Sequence, residues 1–184
     1  MINPADKTVL LDTARRAIQH GLQHGQPLVP DPQDYSETLQ TPGASFVTLK
    51  LHHELRGCIG SLKAHRPLIV DVAENAFAAA FHDPRFPPVN ITEFPDLEYH
   101  ISILSPAEPM QFQNEADLLK QLRPQVDGLI LEDKGRRGTF LPVVWDSLPE
   151  PEQFWQHLKL KAGLPVNYWS DTLKVSRYTV EDIK

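Results

Sequence analysis

Read for hydrophobic period, this chain spells one order of elements twice: helix, two strands, helix, strand. In the first set, Val9, Leu10, Ala14, Ala17, Ile18 and Leu22 put one apolar face on a helix over residues 5–22. Gly21 and Gly25, with His20 and His24, close it. Ser45–Leu51 reads as a strand, His52-His53-Glu54 as a polar turn, and Leu55–Ser61 as the returning strand. Pro67 then opens a helix through Phe81. Its apolar face carries Leu68, Ile69, Val72, Ala73, Ala76, Phe77 and Ala80, and Pro84 lies just beyond its end. Leu97–Leu104 alternates as a strand, with Tyr99, Ile101 and Ile103 opposed to Glu98, His100 and Ser102.

The second set starts at Asn114, which caps a short helix through Leu122. Val126–Glu132 is strand-like, Asp133-Lys134-Gly135 turns, and Thr139–Val144 returns. A helix from Pro149 carries Phe154, Trp155, Leu158 and Leu160 and stops at Gly163. Leu173–Val180 is the last strand. Arg56-Gly57 leaves the first turn and Arg137-Gly138 the second, 81 positions later. Pro87-Pro88-Val89-Asn90 and Pro165-Val166-Asn167 follow the second helix of each set. The pattern predicts two pseudo-equivalent α-β-β-α-β halves, about 5–106 and 112–181, within a single domain. They would share one sheet with their hairpins near a common axis, bringing Lys134–Arg137 to the surface of Leu55–Ser61. The proline-rich stretch Pro27–Gly43 reads as a long polar connection wrapped on the surface.

Totals narrow the chemistry. Eighteen Lys and Arg against 24 Asp and Glu give a net charge of −6, which opposes indiscriminate binding to phosphate backbones. The short basic run Lys134, Arg136, Arg137 follows Glu132 and Asp133, as in a solvated turn, so no nucleic acid partner is expected. One cysteine excludes an internal disulfide, a four-cysteine zinc site and a cysteine-held iron–sulfur cluster. Eight histidines show no HxH or HExxH spacing, and His20 and His24 read as solvated helix-end residues, so no metal and no cofactor is expected. Met1–Lys7 is no secretory signal and no apolar run nears ~18 residues. The expectation is a cytoplasmic protein with no membrane segment.

Leu55-Arg56-Gly57-Cys58-Ile59-Gly60-Ser61 holds the lone thiol. As a regular strand it would put Leu55, Gly57 and Ile59 on one face and Arg56, Cys58 and Gly60 on the other. Arg56 and Cys58 would then sit roughly 7 Å apart along the backbone. Two readings of Cys58 follow. In one it is a nucleophile or acceptor thiol, with Arg56 favouring its thiolate and holding an anionic group, and glycines permitting close approach. In the other it is a structural thiol, since free cysteine commonly acts as a small buried hydrophobe. Asp83, just past a helix C-terminus, must find a cation, either Arg85 or Arg56. The candidate catalytic residues are Cys58 and Asp83, with His82 or His65 as further proton carriers. The candidate ligand-binding residues are Arg56, Gly57, Gly60, Ser61, Arg85, Phe86 and Arg137. Trp169, and less so Trp145 and Trp155, are candidate anchors for a protein partner.

Leu55–Ser61, Asp83-Pro84-Arg85-Phe86, Gly138-Thr139-Phe140-Leu141-Pro142 and Lys161-Ala162-Gly163-Leu164 together resemble the AMMECR family, over about residues 6–180. Its bacterial members are also known as protein A of the AmmeMemoRadiSam system. The resemblance implies an α+β fold with a largely antiparallel, barrel-like sheet built from duplicated halves. It also implies company, namely a Memo-type protein and a radical SAM protein. This chain lacks a radical SAM cysteine triplet and so would be neither that partner nor a fusion with it. Gly138-Thr139-Phe140 carries no second cysteine, which assigns any thiol chemistry to the first half. The expected function is a pocket around Leu55–Ser61 that binds a small anionic ligand or works with those partners. The other reading is a non-catalytic interaction or ligand-carrier module.

Overall fold

A computed structural model of the chain describes residues 2–184. Helix α1 (Pro4–His24) starts at Asn3, whose side chain accepts the Asp6 N–H, and stops at Gly25 in the left-handed region. Pro27–Gly43 is not featureless. A 3-10 turn (Pro32–Asp34) and the one-turn α2 (Glu37–Gln40) lie within it. Leu39 is fully buried, and one buried leucine is enough to pin the connection to the core. The next elements are β1 (Pro42–Leu51), β2 (Glu54–Gly60), the short β3 (Arg66–Pro67), α3 (Leu68–Phe81) and β4 (Leu97–Leu104). Then come β5 (Glu108–Pro109), α4 (Glu115–Gln121), β6 (Gly128–Asp133), β7 (Arg136–Phe140) and α5 (Pro151–Lys161). β8 (Lys174–Tyr178) and β9 (Val180–Ile183) end the chain.

The architecture is α+β, in two compact units: residues 2–104 with 181–184, and residues 105–180. In the first, the sheet order is β2-β1-β4-β9, with β3 beside the start of β1. The core lies where α1 and α3 cover one face of it, around Leu10, Ile18, Val47, Leu49, Ile69, Val72 and Ile101. α1 meets α3 closely at Gly21, where a β-carbon would stand 2.3 Å from the Phe81 ring. In the second unit the order is β5-β8-β6-β7, over a core of Leu118, Leu129, Leu131, Trp145, Phe154, Trp155 and Val175.

Three expectations are corrected. The strands form two open sheets, not one shared barrel-like sheet, because the final strand is two strands that serve different sheets. The chain breaks at Thr179, after which β9 joins β4. Second, Thr139–Val144 is not one strand. β7 ends at Phe140, and Pro142–Asp146 winds into a 3-10 turn that drives Trp145 into the core. There its indole N–H donates to the Asp127 carbonyl at 2.8 Å. Third, β6 starts at Gly128 rather than Val126, after a turn in which Gln125 has a φ of 67°.

Candidate functional site

The β1–β2 hairpin turns on His52 and His53, both left-handed with φ of 53° and 67°. Such a two-residue turn matches the twist of paired strands, although glycine and asparagine are its usual occupants. The Glu98 carboxylate receives the His53 backbone N–H at 2.9 Å and lies 3.1 Å from its ring Nδ1. Pairing runs Leu51 with Glu54 and Lys50 with Leu55, then jumps to Leu49 with Gly57. Arg56 is therefore the extra residue of a β-bulge.

The bulge overturns the simple alternation expected of Leu55–Ser61. Leu55 is 43% exposed, whereas Arg56 is only 8% exposed. Beyond it the alternation resumes. Gly57 faces α3, where a β-carbon would come within 2.1 Å of the Ala79 carbonyl oxygen. Cys58 faces away, half-buried, and its Sγ accepts the Thr48 hydroxyl at 3.2 Å. Gly60 lies beneath the Phe46 ring, which a β-carbon would strike at 2.2 Å, so the ring fills its missing side chain.

Arg56 does not present a free guanidinium beside the thiol. Its Nε and Nη2 donate to the two oxygens of Glu93 at 2.8 and 3.0 Å. Its buried Nη1 has no partner among the described residues. The Arg56 hydrogen bonds, opposed by burial, hold the Glu93 carboxyl below its ordinary range. Arg85 is the cation that Asp83 finds. Asp83 is buried and takes Nε and Nη2 of Arg85 at 3.0 and 2.7 Å, plus the Cys58 and Arg85 backbone N–H groups at 2.9 and 3.0 Å. The Arg85 side-chain bonds, against the cost of burial, push the Asp83 carboxyl far below the usual carboxylate range. Arg85 Nη2 also reaches the Cys58 carbonyl at 3.3 Å, and the side chain is 54% exposed. Phe86 lies between these features, its ring centroid 5.9 Å from the Arg56 guanidinium carbon and 5.5 Å from that of Arg85. Cys58, Asp83, Arg85, Phe86 and Arg56 are thus brought together by the start of β2 and the loop after α3.

Ser61 turns instead into a buried polar cluster that sequence reading missed. Asp71, fully buried on α3, accepts the Ser61 and Ser45 hydroxyls at 2.8 and 2.7 Å and the Arg66 Nε at 2.8 Å. Asn75, one turn on, donates to Asp71 at 2.9 Å and to the Ser45 carbonyl at 3.0 Å. Arg66 also bonds Glu74. The signal was available: Asp71 and Asn75, four apart, are polar residues set among the apolar ones of α3.

Arg137 belongs to the second unit. The β6–β7 hairpin also turns on two left-handed residues, Lys134 and Gly135. It carries no bulge: Glu132 pairs with Arg137, Leu131 with Gly138 and Ile130 with Thr139. Arg137 lies 3.2 Å from Glu132 on the surface. Gly138 faces α5, with Leu158 and Ala162 atoms at 3.0–3.1 Å from a notional β-carbon. Thr139 occupies the place after that glycine, as Cys58 does after Gly57, and its hydroxyl donates to the Leu129 carbonyl. Tyr178, pushed up to about 12 by burial, lies 3.1 Å from the same hydroxyl. None of the tryptophans is a protruding anchor: Trp145 and Trp155 are buried, and the half-buried Trp169 packs edge-on to Phe112.

These features define an α+β protein with a thiol, a buried carboxylate and a half-exposed guanidinium joined at a bulged hairpin. The chain belongs to the AMMECR1 family, whose model matches residues 11–183. A Thermotoga maritima protein is 38% identical over 173 residues, covering 93% of this chain and 94% of that one. A Methanothermobacter thermautotrophicus protein is 38% identical over 167 residues, covering 88% and 84%. The crystal structure of an uncharacterized Pyrococcus horikoshii protein is 34% identical, with a TM-score of 0.86 over 95% of this chain and 88% of that one. Among the described residues, no helix is long and apolar enough to cross a membrane, and no group of three or more metal-ligating side chains is assembled.

Proposed function

We propose that the protein binds a small anionic ligand beside Cys58, with Arg85 as the charged contact and Asp83 as the positioning residue. One observation carries this reading: the Asp83 carboxylate grips the Cys58 N–H and the Arg85 guanidinium together, fixing a half-exposed cation next to a half-buried thiol. Both Asp83 oxygens are occupied, so Asp83 orients the site rather than shuttling protons. Arg56, matched by Glu93, braces Phe86 from beneath. Alkylation of Cys58 by anionic iodoacetate and neutral iodoacetamide tests the assignment. The folded protein should favour the anionic reagent, and Arg85→Gln should erase that preference while Arg85→Lys keeps part of it. An unchanged ratio in Arg85→Gln defeats the anion site, and a thiol inert to both reagents removes Cys58 from it.

A second reading is a docking module for Memo-type and radical SAM partners in the cytoplasm. It is favoured by Leu55 (43% exposed) and Ile91 (66% exposed), whose neighbours in the chain include the Arg56–Glu93 pair. Leu55→Glu with Ile91→Glu should abolish co-purification with such a partner; undiminished association excludes this surface. We also read the chain as a single domain of two duplicated halves, about 5–106 and 112–181. Matching strand orders, β2-β1-β4 and β7-β6-β8, support this. Superposition of those strands that left Gly57 and Gly138 out of register would break it.

A further inference from the structure

The second unit carries a groove that the Cys58 site does not use. Its wider part, about 780 Å³, is lined at the tip of the β6–β7 hairpin by Glu132–Arg137 and at the entry to β8 by Asp171–Lys174. A narrower part of about 530 Å³ shares Glu132, Asp171, Leu173 and Lys174 with it and runs on to Met110 and Phe112. Each part falls in the size range of small-molecule sites.

Charge is distributed unequally along it. Asp133 is 5% exposed, with its two oxygens held by the Tyr168 and Thr172 hydroxyls at 2.6 and 2.7 Å, so the acceptors of this groove-lining carboxylate are already engaged. Glu132 is engaged by Arg137. Across the sheet, Arg137, Glu132 and Lys174 form one row on neighbouring strands, so a second cation flanks the same acid. The Lys134 and Lys174 side chains are exposed and form no hydrogen bond or salt bridge among the described residues, although the Lys134 charge acts on the neighbouring Asp133. Arg136 commits Nη1 to the Gly163 carbonyl and keeps its other donors. The wide end therefore offers ammonium and guanidinium groups in a chain whose net charge is −6. At the narrow end, Phe112 is braced edge-on by Trp169, 5.7 Å between centroids, and presents an aromatic surface in a fixed orientation.

We infer that this groove binds a phosphorylated small molecule bearing an aromatic ring, nucleotide-like in size. Its phosphates lie against Lys134, Arg136 and Lys174, and its ring lies toward Phe112 and Met110. Lysine ammoniums and an arginine fork suit phosphate oxygens, and an aromatic wall suits a planar base. Asp171 stands at the junction as an acceptor for a sugar or base N–H or O–H.

Calorimetric titration of the full chain with ADP, pyrophosphate and adenosine tests this, with amide NMR to place the binding. ADP should bind most tightly, and its shifts should cluster on residues 132–137, 171–174 and 110–112. Lys134→Ala with Lys174→Ala, at two exposed positions, should weaken ADP by at least about tenfold. Phe112→Leu should weaken ADP and leave pyrophosphate unchanged. Absence of ADP binding at millimolar concentration overturns the inference, as does ADP binding that the double lysine variant leaves intact. Equal affinity for ADP and pyrophosphate overturns the aromatic end. Shifts centred on residues 56–61 and 83–86 would move the ligand to the Cys58 site, defeating this inference while supporting that one.

Discussion

The β1–β2 and β6–β7 hairpins follow one plan, yet they differ by a single residue. Both turn on two left-handed residues, both return through an Arg-Gly pair, and in both the glycine lies under a helix. In the second hairpin Arg137 stays in the ladder and reaches a cross-strand glutamate on the surface. In the first, the bulge inserts Arg56, turns it inward and obliges Glu93 to meet it. The same dipeptide thus yields a rim charge in one place and a buried ion pair in the other. A bulge re-aims a side chain by leaving one residue unpaired and disrupting the ladder only locally, and here it separates a plain hairpin from one that carries the thiol site.

Paired substitutions probe that difference. Gly57→Ala should have the largest effect, destabilising by more than about 3 kcal/mol, because the added carbon meets helix backbone at 2.1 Å. Gly138→Ala, whose nearest atoms stand at 3.0 Å, should cost about 1 kcal/mol. Equal losses in chemical denaturation would mean that the first hairpin is no more tightly held to its helix than the second.

Next comes Glu93→Ala. It strands the Arg56 charge in a buried setting and should cost about 3 kcal/mol, the low end for such pairs because Glu93 keeps 19% exposure. Glu132→Ala, which frees a surface arginine, should stay within about 1 kcal/mol. If the two losses match, the bulge has not created a buried pair.

Acid unfolding gives a third contrast. The Asp83 carboxyl is held lower in the folded chain than in the unfolded one. Its stabilisation is therefore complete above about pH 4 and is lost as pH falls below that. Asp83→Asn should lower stability at neutral pH and flatten the fall in Tm below pH 4. Asp133 is also held low, chiefly by the Tyr168 and Thr172 hydroxyls and least by the charge of Lys134. Since an asparagine side chain can still accept from one hydroxyl, Asp133→Asn should change the acid limb less.

The smallest effect is expected of Cys58→Thr, which copies the residue found after Gly138. Stability should move by less than about 1 kcal/mol, since the site is half-buried and Thr48 remains as a neighbour. Thiol labelling should vanish with it. A loss of several kcal/mol would recast Cys58 as a structural residue.

How much of this was legible depended on sequence distance. The α1, α3 and α5 helices announced themselves through apolar spacing and through the Gly25, Pro67, Pro84 and Gly163 boundaries, while the α5 start, expected at Pro149, lies at Pro151. Asp83 stands just past a helix end, so its need for a cation was legible, but the choice of Arg85 over Arg56 came from the structure. Arg56 and Glu93 are 37 apart, and nothing near either names the other. Asp71 and Asn75 were visible as polar residues among the apolar ones of α3, but their partners Ser45 and Ser61 come from β1 and from just past the end of β2, strands whose register no local pattern reports.

The sequence by itself determined the order of elements, their periodicities, the family and the need of Asp83 for a cation, because each is read from residues within a turn or two of chain. Tertiary structure alone decided that Arg56 would be the bulged residue, that Leu55 would face out, and that the last strand would divide between two sheets. Those outcomes depend on which residues pair across strands. A one-residue shift in that pairing reverses every side chain after it, and the chain encodes that choice only through the whole packed core.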